Sequence, residues 1–577
     1  MSRLPHIGRR AKSNLVGLLV FVLLFAPAGC FTKENYSPYY GLVAVRPTQD
    51  FRWFDGGLPQ TFDPAFAAAP PDTDAVRAIF EGLTDYDPRT LAPVPGVATR
   101  WEPSEGGRTW TFYLRDDARW SNGEAVTAND FVDSWQRTVR IGDLAPHTHL
   151  LNNIEGADTV SASTAPSPPL NRTNVRRTQR PALPDHSTPR FGAEAVSARV
   201  LRVNLQLPDW NFPALVAHPV FRPVKLKTND YLKQISSLDL VSNGAFHLAE
   251  TEPSRVLLKR ADHYWDKDAV NLNQVEFVAA KNAESALNAY RAGEVDAVTN
   301  SAFEPLALKL LAPYKDFRRE TYGALTYYSV NTSLEPFDDV RVREALAIAI
   351  DRDRLTQDEM GGATEPAKRF LPEAMSGSRV VVAKDELLEK DHGRARRLLA
   401  EAGFPEGDGF PKIRLLINRN EQQRMLAQSV AQMWQTVLNI ETEIIIKPWD
   451  EYEAAIRAGD YDVARRGLVM QTTDELTNIR MLFQQDADLS ESAGPQSSAT
   501  ANESGQVGSD SSLATKPATP VSEAEALNEL KAIPLYFASS YALVKPYVTG
   551  FETNVLDAPS LKRVQINTAW KHPTAER

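Results

Sequence analysis

Trp110-Thr-Phe-Tyr-Leu-Arg-Asp-Asp-Ala-Arg-Trp-Ser-Asn-Gly-Glu-Ala-Val-Thr-Ala-Asn-Asp-Phe-Val-Asp-Ser-Trp-Gln-Arg137 is the stretch on which the reading of this chain turns. Trp110, Phe112 and Leu114 alternate with Thr111, Tyr113 and Arg115, the period-two pattern of a strand buried on one face. Ser121-Asn122-Gly123 supplies turn chemistry. Thr127 precedes Asp130 by three residues, a capping-box spacing in which each side chain satisfies the other's backbone N–H. It predicts a helix that turns Phe131, Trp135 and Val139 inward.

Working outward, residues 412–467 alternate between the two periodicities. Lys412–Asn418 reads as a strand, and Glu421–Leu438 as a helix with Leu426, Val430, Met433 and Val437 on one face. Glu441–Lys447 is a strand around Ile444-Ile445-Ile446, Asp450–Ala458 a helix and Tyr461–Arg465 another short strand. Alternation of this kind implies parallel strands covered by helices, with ligands taken in crevices at the strand ends. Val340–Leu355 has the spacing of a further helix, and Asp391–Ala402 ends on Gly403, suited to a left-handed cap.

The strand–turn–helix of residues 110–137 resembles the signature of the oligopeptide-binding protein family, the extracytoplasmic solute-binding components (family 5) of peptide ABC transporters. The resemblance extends through Phe62-Asp63-Pro64, Phe80-Glu81-Gly82-Leu83, Ser242-Asn243-Gly244-Ala245-Phe246 and Tyr264-Trp265. It continues in Pro336-Phe337-Asp338-Asp339, Leu398-Leu-Ala-Glu-Ala-Gly-Phe404 and Asp460-Tyr-Asp-Val-Ala-Arg465. It implies an α/β, two-lobed periplasmic-binding-protein fold of the large peptide-binding class with a small extra domain. Lobe I would combine residues 43–72, 216–320 and 539–577; the extra domain would be 73–215 and lobe II 321–538. These motif residues read as builders of a lobe, not as holders of a ligand.

Length and charge fit that picture. A chain of 577 residues exceeds one hydrophobic core. Its single cysteine, Cys30, excludes an intrachain disulfide. Net charge is −10, and residues 1–29 carry Arg3, Arg9, Arg10 and Lys12 without an acid, so the body from Cys30 onward stands at −14. An acidic body argues against nucleic acid as a partner. A basic start, the apolar run Leu15–Phe25 and small residues ending at Cys30 read as a signal peptide over 1–29. Ala28-Gly29-Cys30 resembles a lipobox with Cys30 as the lipidation site, although Pro27 departs from the usual aliphatic residue. Ala26-Pro27-Ala28 is equally an A-x-A cleavage site. Either way the body lies outside the cytoplasm, in the periplasm or cell envelope. Ser161–Arg190 and Asp486–Pro520 are low-complexity stretches, read as a disordered insert in the extra domain and a low-complexity segment of lobe II.

A peptide-capturing site pairs with the ligand backbone as an added strand and neutralises its ends. In the resembled family an aspartate after an Arg-x-Gly-Trp segment takes the ligand's amino terminus. The comparable string is Arg465-Arg466-Gly467-Leu468-Val469-Met470-Gln471: Arg465 and Gly467 match, Leu468 replaces the tryptophan and Gln471 the aspartate. Asp474 and Glu475 are the nearby acids that would substitute. Trp449, Asn418 and Tyr327 occupy positions that the resemblance assigns to the groove, and His147 stands near an aromatic position of the extra domain that would face it; core packing is the alternative for Trp449 and Tyr327, and an interlobe ion pair the alternative for Arg465. Pro59 falls where the family usually pairs with peptide backbone, and removes a donor.

No catalytic signature, metal site or cofactor motif is present in the sequence. The resemblance implies a monomeric receptor that encloses a short peptide or similar solute and delivers it to an ABC permease, held to the membrane by a lipid anchor if Cys30 is modified. Two alternatives stand: a degenerate homologue serving as sensor or chaperone-like protein, and an extracellular hydrolase.

Overall fold

A computed structural model of the chain describes residues 38–157, 191–225, 234–237, 240–375, 388–492, 520 and 522–572. The signal segment, Cys30, the insert 161–190 and most of the second low-complexity stretch lie outside the described residues.

The opening stretch forms the elements its pattern dictates. Thr109–Leu114 is a strand with Trp110, Phe112 and Leu114 buried. It is the second strand of a four-stranded antiparallel sheet ordered Ala98–Ser104, Thr109–Leu114, Val200–Asn204, Ala193–Ser197. The helix Ala128–Ile141 starts on the Thr127/Asp130 capping box, with the Thr127 N–H donating to Asp130 at 2.7 Å. Phe131, Trp135 and Val139 face the core.

The other motifs are structural too. Asp63 accepts both arms of Arg137, at 2.9 and 2.6 Å, with both side chains buried. That pair pins the helix Ala128–Ile141 to the chain's start. Glu81 is fully buried and accepts from the Tyr264 hydroxyl, the Trp265 indole and the Lys562 ammonium, at 2.7, 2.5 and 2.6 Å. Asn243 closes a two-way bond with the Glu81 backbone. Gly244 passes so close to Ile79 that a Cβ there would lie 2.6 Å from its carbonyl carbon, so only glycine fits.

The main sheet has 11 strands and runs through both lobes. Its order is Thr442–Lys447, Ile413–Asn418, Val463–Val469, Phe317–Val330, Ala532–Val544, Ala297–Thr299, Asp50–Asp55, Gln274–Val278, Arg255–Arg260, Phe246–Glu252, with Thr364–Pro366 beside Ala532–Val544. Phe317–Val330 and Ala532–Val544 are the long antiparallel pair that joins the halves. Their register slips between Thr321 and Leu325. At the slip the Gly323 N–H donates to Val555 O and its carbonyl accepts from Met470 N–H, both at 2.7 Å. A Cβ on Gly323 would come within 2.6 Å of the Met375 methyl. One core gathers Phe51, Trp53, Trp120, Trp135 and Phe277 on one side of this crossing; the other gathers Tyr327, Leu346, Trp434 and Ile533.

Ile413–Asn418 pairs in parallel with both Thr442–Lys447 and Val463–Val469, as the alternating pattern implies. The helix Glu421–Leu438 buries Leu426, Val430, Met433 and Val437, and also Trp434, whose indole donates to Leu346 O. Three boundaries differ from the sequence reading. The helix at Val340 ends at Ile348, because Asp351 caps a separate turn by accepting from Arg354 N–H. The strand read as Tyr461–Arg465 runs Val463–Val469, because seven residues of Phe317–Val330 pair along it. The helix Glu475–Ser492 extends into the stretch read as low-complexity from residue 486.

Candidate functional site

Val463–Val469 is bonded along one side to Phe317–Val330, whereas on the other side only Val463 and Ala464 find a strand, at Leu415 and Leu416. Met470 N–H points to Gly323 O, so by alternation Leu468 and Arg466 also turn toward that neighbour. Arg465, Gly467 and Val469 therefore direct their backbone N–H and C=O groups to an edge with no strand on it among the described residues. Two side chains already hold carbonyls there: the Tyr452 hydroxyl donates to Arg465 O, and Gln471 Nε2 donates to Val469 O at 3.3 Å.

Beside this edge lies a cavity of about 590 Å³. Arg465, Gly467 and Val469 line it from the strand Val463–Val469, Phe303 and Leu308 from the stretch around residues 303–311, and Ala538 and Tyr541 from the strand Ala532–Val544. Leu308 reaches the cavity from the helix Pro305–Leu311. Trp449 opens the helix Trp449–Ala458, is 58% exposed and stacks on Tyr452 with centroids 5.5 Å apart.

The cavity holds one charge among its lining residues, the guanidinium of Arg465. Its Nε is buried without a hydrogen-bond partner, and it makes no ion pair among the described residues. It lies over Gly467: a Cβ there would be in ordinary contact with it, 3.5 Å from Arg465 Nη2.

Gln471 lies within hydrogen-bonding reach of the His218 imidazole. The His218 ring stands 4.9 Å from that of His147, which is 6.0 Å from that of His149. Burial lowers all three histidines, His218 well below the ordinary value and His149 to about 4, so the group behind Gln471 is neutral at pH 7. The acids nearby are spoken for. Asp474 is 1% exposed, accepts from Thr477 N–H at 2.7 Å and shares a hydrogen bond with buried Asp209. Burial raises both carboxyls, and one proton between them is what two facing carboxyls require. Asp55 and Asp74 repeat the arrangement: each has a buried Oδ2 without a donor, burial raises both, and Arg77 supports Asp74 at 3.0 Å.

Of the residues singled out in the sequence, Arg465, Gly467, Gln471 and Trp449 come together around the open edge. Asn418 ends its strand nearby with Oδ1 buried and unpartnered. Tyr327 does not line the cavity: it is fully buried in the second core, because its position on Phe317–Val330 faces the covering helices. His147 is also withdrawn, 7% exposed, with Nε2 donating to Ala68 O at 2.8 Å. Asp474 offers no free carboxylate, Glu475 accepts from Glu523 N–H, and Pro59 is buried against a different cavity of about 530 Å³. Sequence reasoning missed His218, Phe303 and Tyr541, which lack periodic or spacing signals and reach the site through long-range packing.

Two lobes sharing one sheet, with an unpaired strand edge facing a cavity at their junction, define a ligand-enclosing two-lobed binding protein. Residues 92–489 match the model of the bacterial extracellular solute-binding proteins, family 5, and the chain belongs to that family. It is 30% identical over 509 residues to the periplasmic murein peptide-binding protein MppA of Escherichia coli, covering 86% of this chain and 89% of the relative. It is 28% identical over 511 residues to the periplasmic oligopeptide-binding protein OppA of Escherichia coli, covering 86% and 88%. Among solved structures, MppA in its unliganded open form matches with a TM-score of 0.71 at 26% identity, over 91% of this chain and 98% of that one.

Proposed function

We propose that this protein is an extracytoplasmic receptor that captures short peptides, or a related solute, between its lobes and delivers them to an ABC permease. The observation that carries the reading is the open edge of Arg465, Gly467 and Val469 along the cavity. A peptide laid there gains backbone hydrogen bonds without regard to its side chains, which suits a receptor of broad specificity. The relatives named for peptide binding support the same ligand class. Likeness to an unliganded open form supports lobes that close on the ligand about the crossing strands, whose register slip at Gly323 supplies the bend. Ligand contacts made by both lobes favour the closed state, and a permease that recognises closure reads occupancy.

The ligand contacts assigned on this reading are Arg465, Gly467, Gln471 and Trp449, with Asn418 at the margin. The protein acts as a monomer after removal of residues 1–29, and Cys30 carries a lipid that ties it to the membrane. Among the described residues no cluster of histidine, cysteine, aspartate and glutamate is arranged to hold a metal ion, and no helix is long and apolar enough to cross a membrane. The function requires no covalent step.

Native mass spectrometry of residues 31–577, purified gently after export and then exposed to a short-peptide library, tests the reading. Adducts at peptide masses are expected. A protein that stays bare throughout overturns it in favour of a degenerate sensor.

A further inference from the structure

We propose that the cleft selects ligands that carry a carboxylate and no ammonium, so that the peptides it takes are blocked at the amino end. This rests on the peptide reading above and specifies its ligand. Arg465 is the one charge among the residues lining the cavity, and its Nε is buried with no partner. A guanidinium held in that way is completed by an anion, and a carboxylate can take two of its N–H groups at once. Nothing on the lining offers the converse. The polar side chains there include Thr326, Gln422, Ser539 and Tyr541, none of which carries a negative charge at pH 7.

The far end of the open edge offers no anion for a second, independent reason, and the charge that reaches its histidines is the Arg77 guanidinium. Gln471 donates to Val469 O and lies against His218, whose burial keeps it uncharged, with uncharged His147 behind it. The carboxyl that follows this end in the chain, Asp474, is buried and turned on buried Asp209. A ligand ammonium brought here would leave water for a wall whose His218 Nδ1 already accepts from Val220 N–H and whose one flanking acid, Asp474, is withdrawn, in a cavity already holding a cation. An acetylated or otherwise acylated nitrogen loses no such hydration, and its carbonyl adds one more acceptor for the edge N–H groups.

The test uses the exported chain, residues 31–577, and one apolar tetrapeptide in four forms: free, amino-acetylated, carboxy-amidated and both. Titration calorimetry at pH 7 should show the acetylated acid binding at least about tenfold more tightly than the free peptide, with amidation undoing the gain. Arg465→Gln should bind the acid and the amide alike, with an unchanged melting temperature. Gln471→Asp should restore binding of the free peptide. Free peptide binding as tightly as acetylated peptide overturns the proposal. If no tetrapeptide binds but an apolar carboxylic acid without amides does, the peptide reading falls while the demand for a carboxylate stands. If neither binds, both fall.

Discussion

Gly467→Pro is the substitution that isolates the open edge. Gly467 sits mid-strand with its backbone N–H directed away from Phe317–Val330, so proline there removes no hydrogen bond of the fold. Its φ lies outside the left-handed region, and the preceding Arg466 is already extended in the strand, as a residue before proline prefers. The change therefore acts on the ligand. One backbone bond is lost, about 0.5–1.5 kcal/mol, or roughly a two- to tenfold loss of affinity. The ring occupies the space that a ligand carbonyl would approach, so the flanking bonds at Arg465 and Val469 lengthen as well, and the expected loss is about tenfold or more. Gly467→Ala is the control: its new methyl meets nothing closer than Arg465 Nη2 at 3.5 Å, an ordinary contact. Calorimetric titration with a bound peptide from the library, beside thermal melts of each variant, reads both quantities. Proline with affinity within twofold of the parent and an unchanged melting temperature would refute strand addition at this edge.

Other substitutions probe the rest of the molecule. Burial raises the Asp557 carboxyl to about 6, against the help of Ser540, which donates to it at 2.8 Å; Asp55 raises it and Arg77 lowers it. Because the folded form then holds the proton more tightly than the unfolded chain, this group's contribution to stability is full below about pH 4 and is lost as pH rises through 6, by up to about 3 kcal/mol. Asp557→Asn should flatten that fall in urea titrations between pH 4 and 7, and an unchanged slope would dismiss Asp557 as its source. Asp63→Asn strands a buried Arg137 and should destabilise the protein by about 3–5 kcal/mol, seen as a lower urea midpoint; a loss under about 1 kcal/mol would contradict the pinning role of the pair. Trp449, exposed at the cleft, should shift in fluorescence on ligand binding, and Trp449→Phe should abolish that shift.

Local pattern carried much of the fold. The alternation of Trp110, Phe112 and Leu114 and the Thr127/Asp130 box are decided within a few residues, and the parallel strands at 413, 442 and 463 follow from their covering helices. Where neighbours decide, pattern falters. Val463–Val469 continues past Arg465 because a partner strand is present, and Tyr327 is core because its strand is covered. The site divides similarly. Arg465 and Gly467 were legible as a local string, whereas the neutral His218 beside Gln471 comes from some 250 residues upstream and shows only when the chain is folded. Asp474 illustrates the converse: an acid in the right neighbourhood of sequence, withdrawn by pairing with Asp209.

A crystal structure of the exported chain with a bound peptide bears most directly on the central claim. The account predicts the peptide backbone paired with Arg465, Gly467 and Val469, its carboxylate on the Arg465 guanidinium and the lobes closed over it. A peptide seated elsewhere, with that edge still bare, would contradict it.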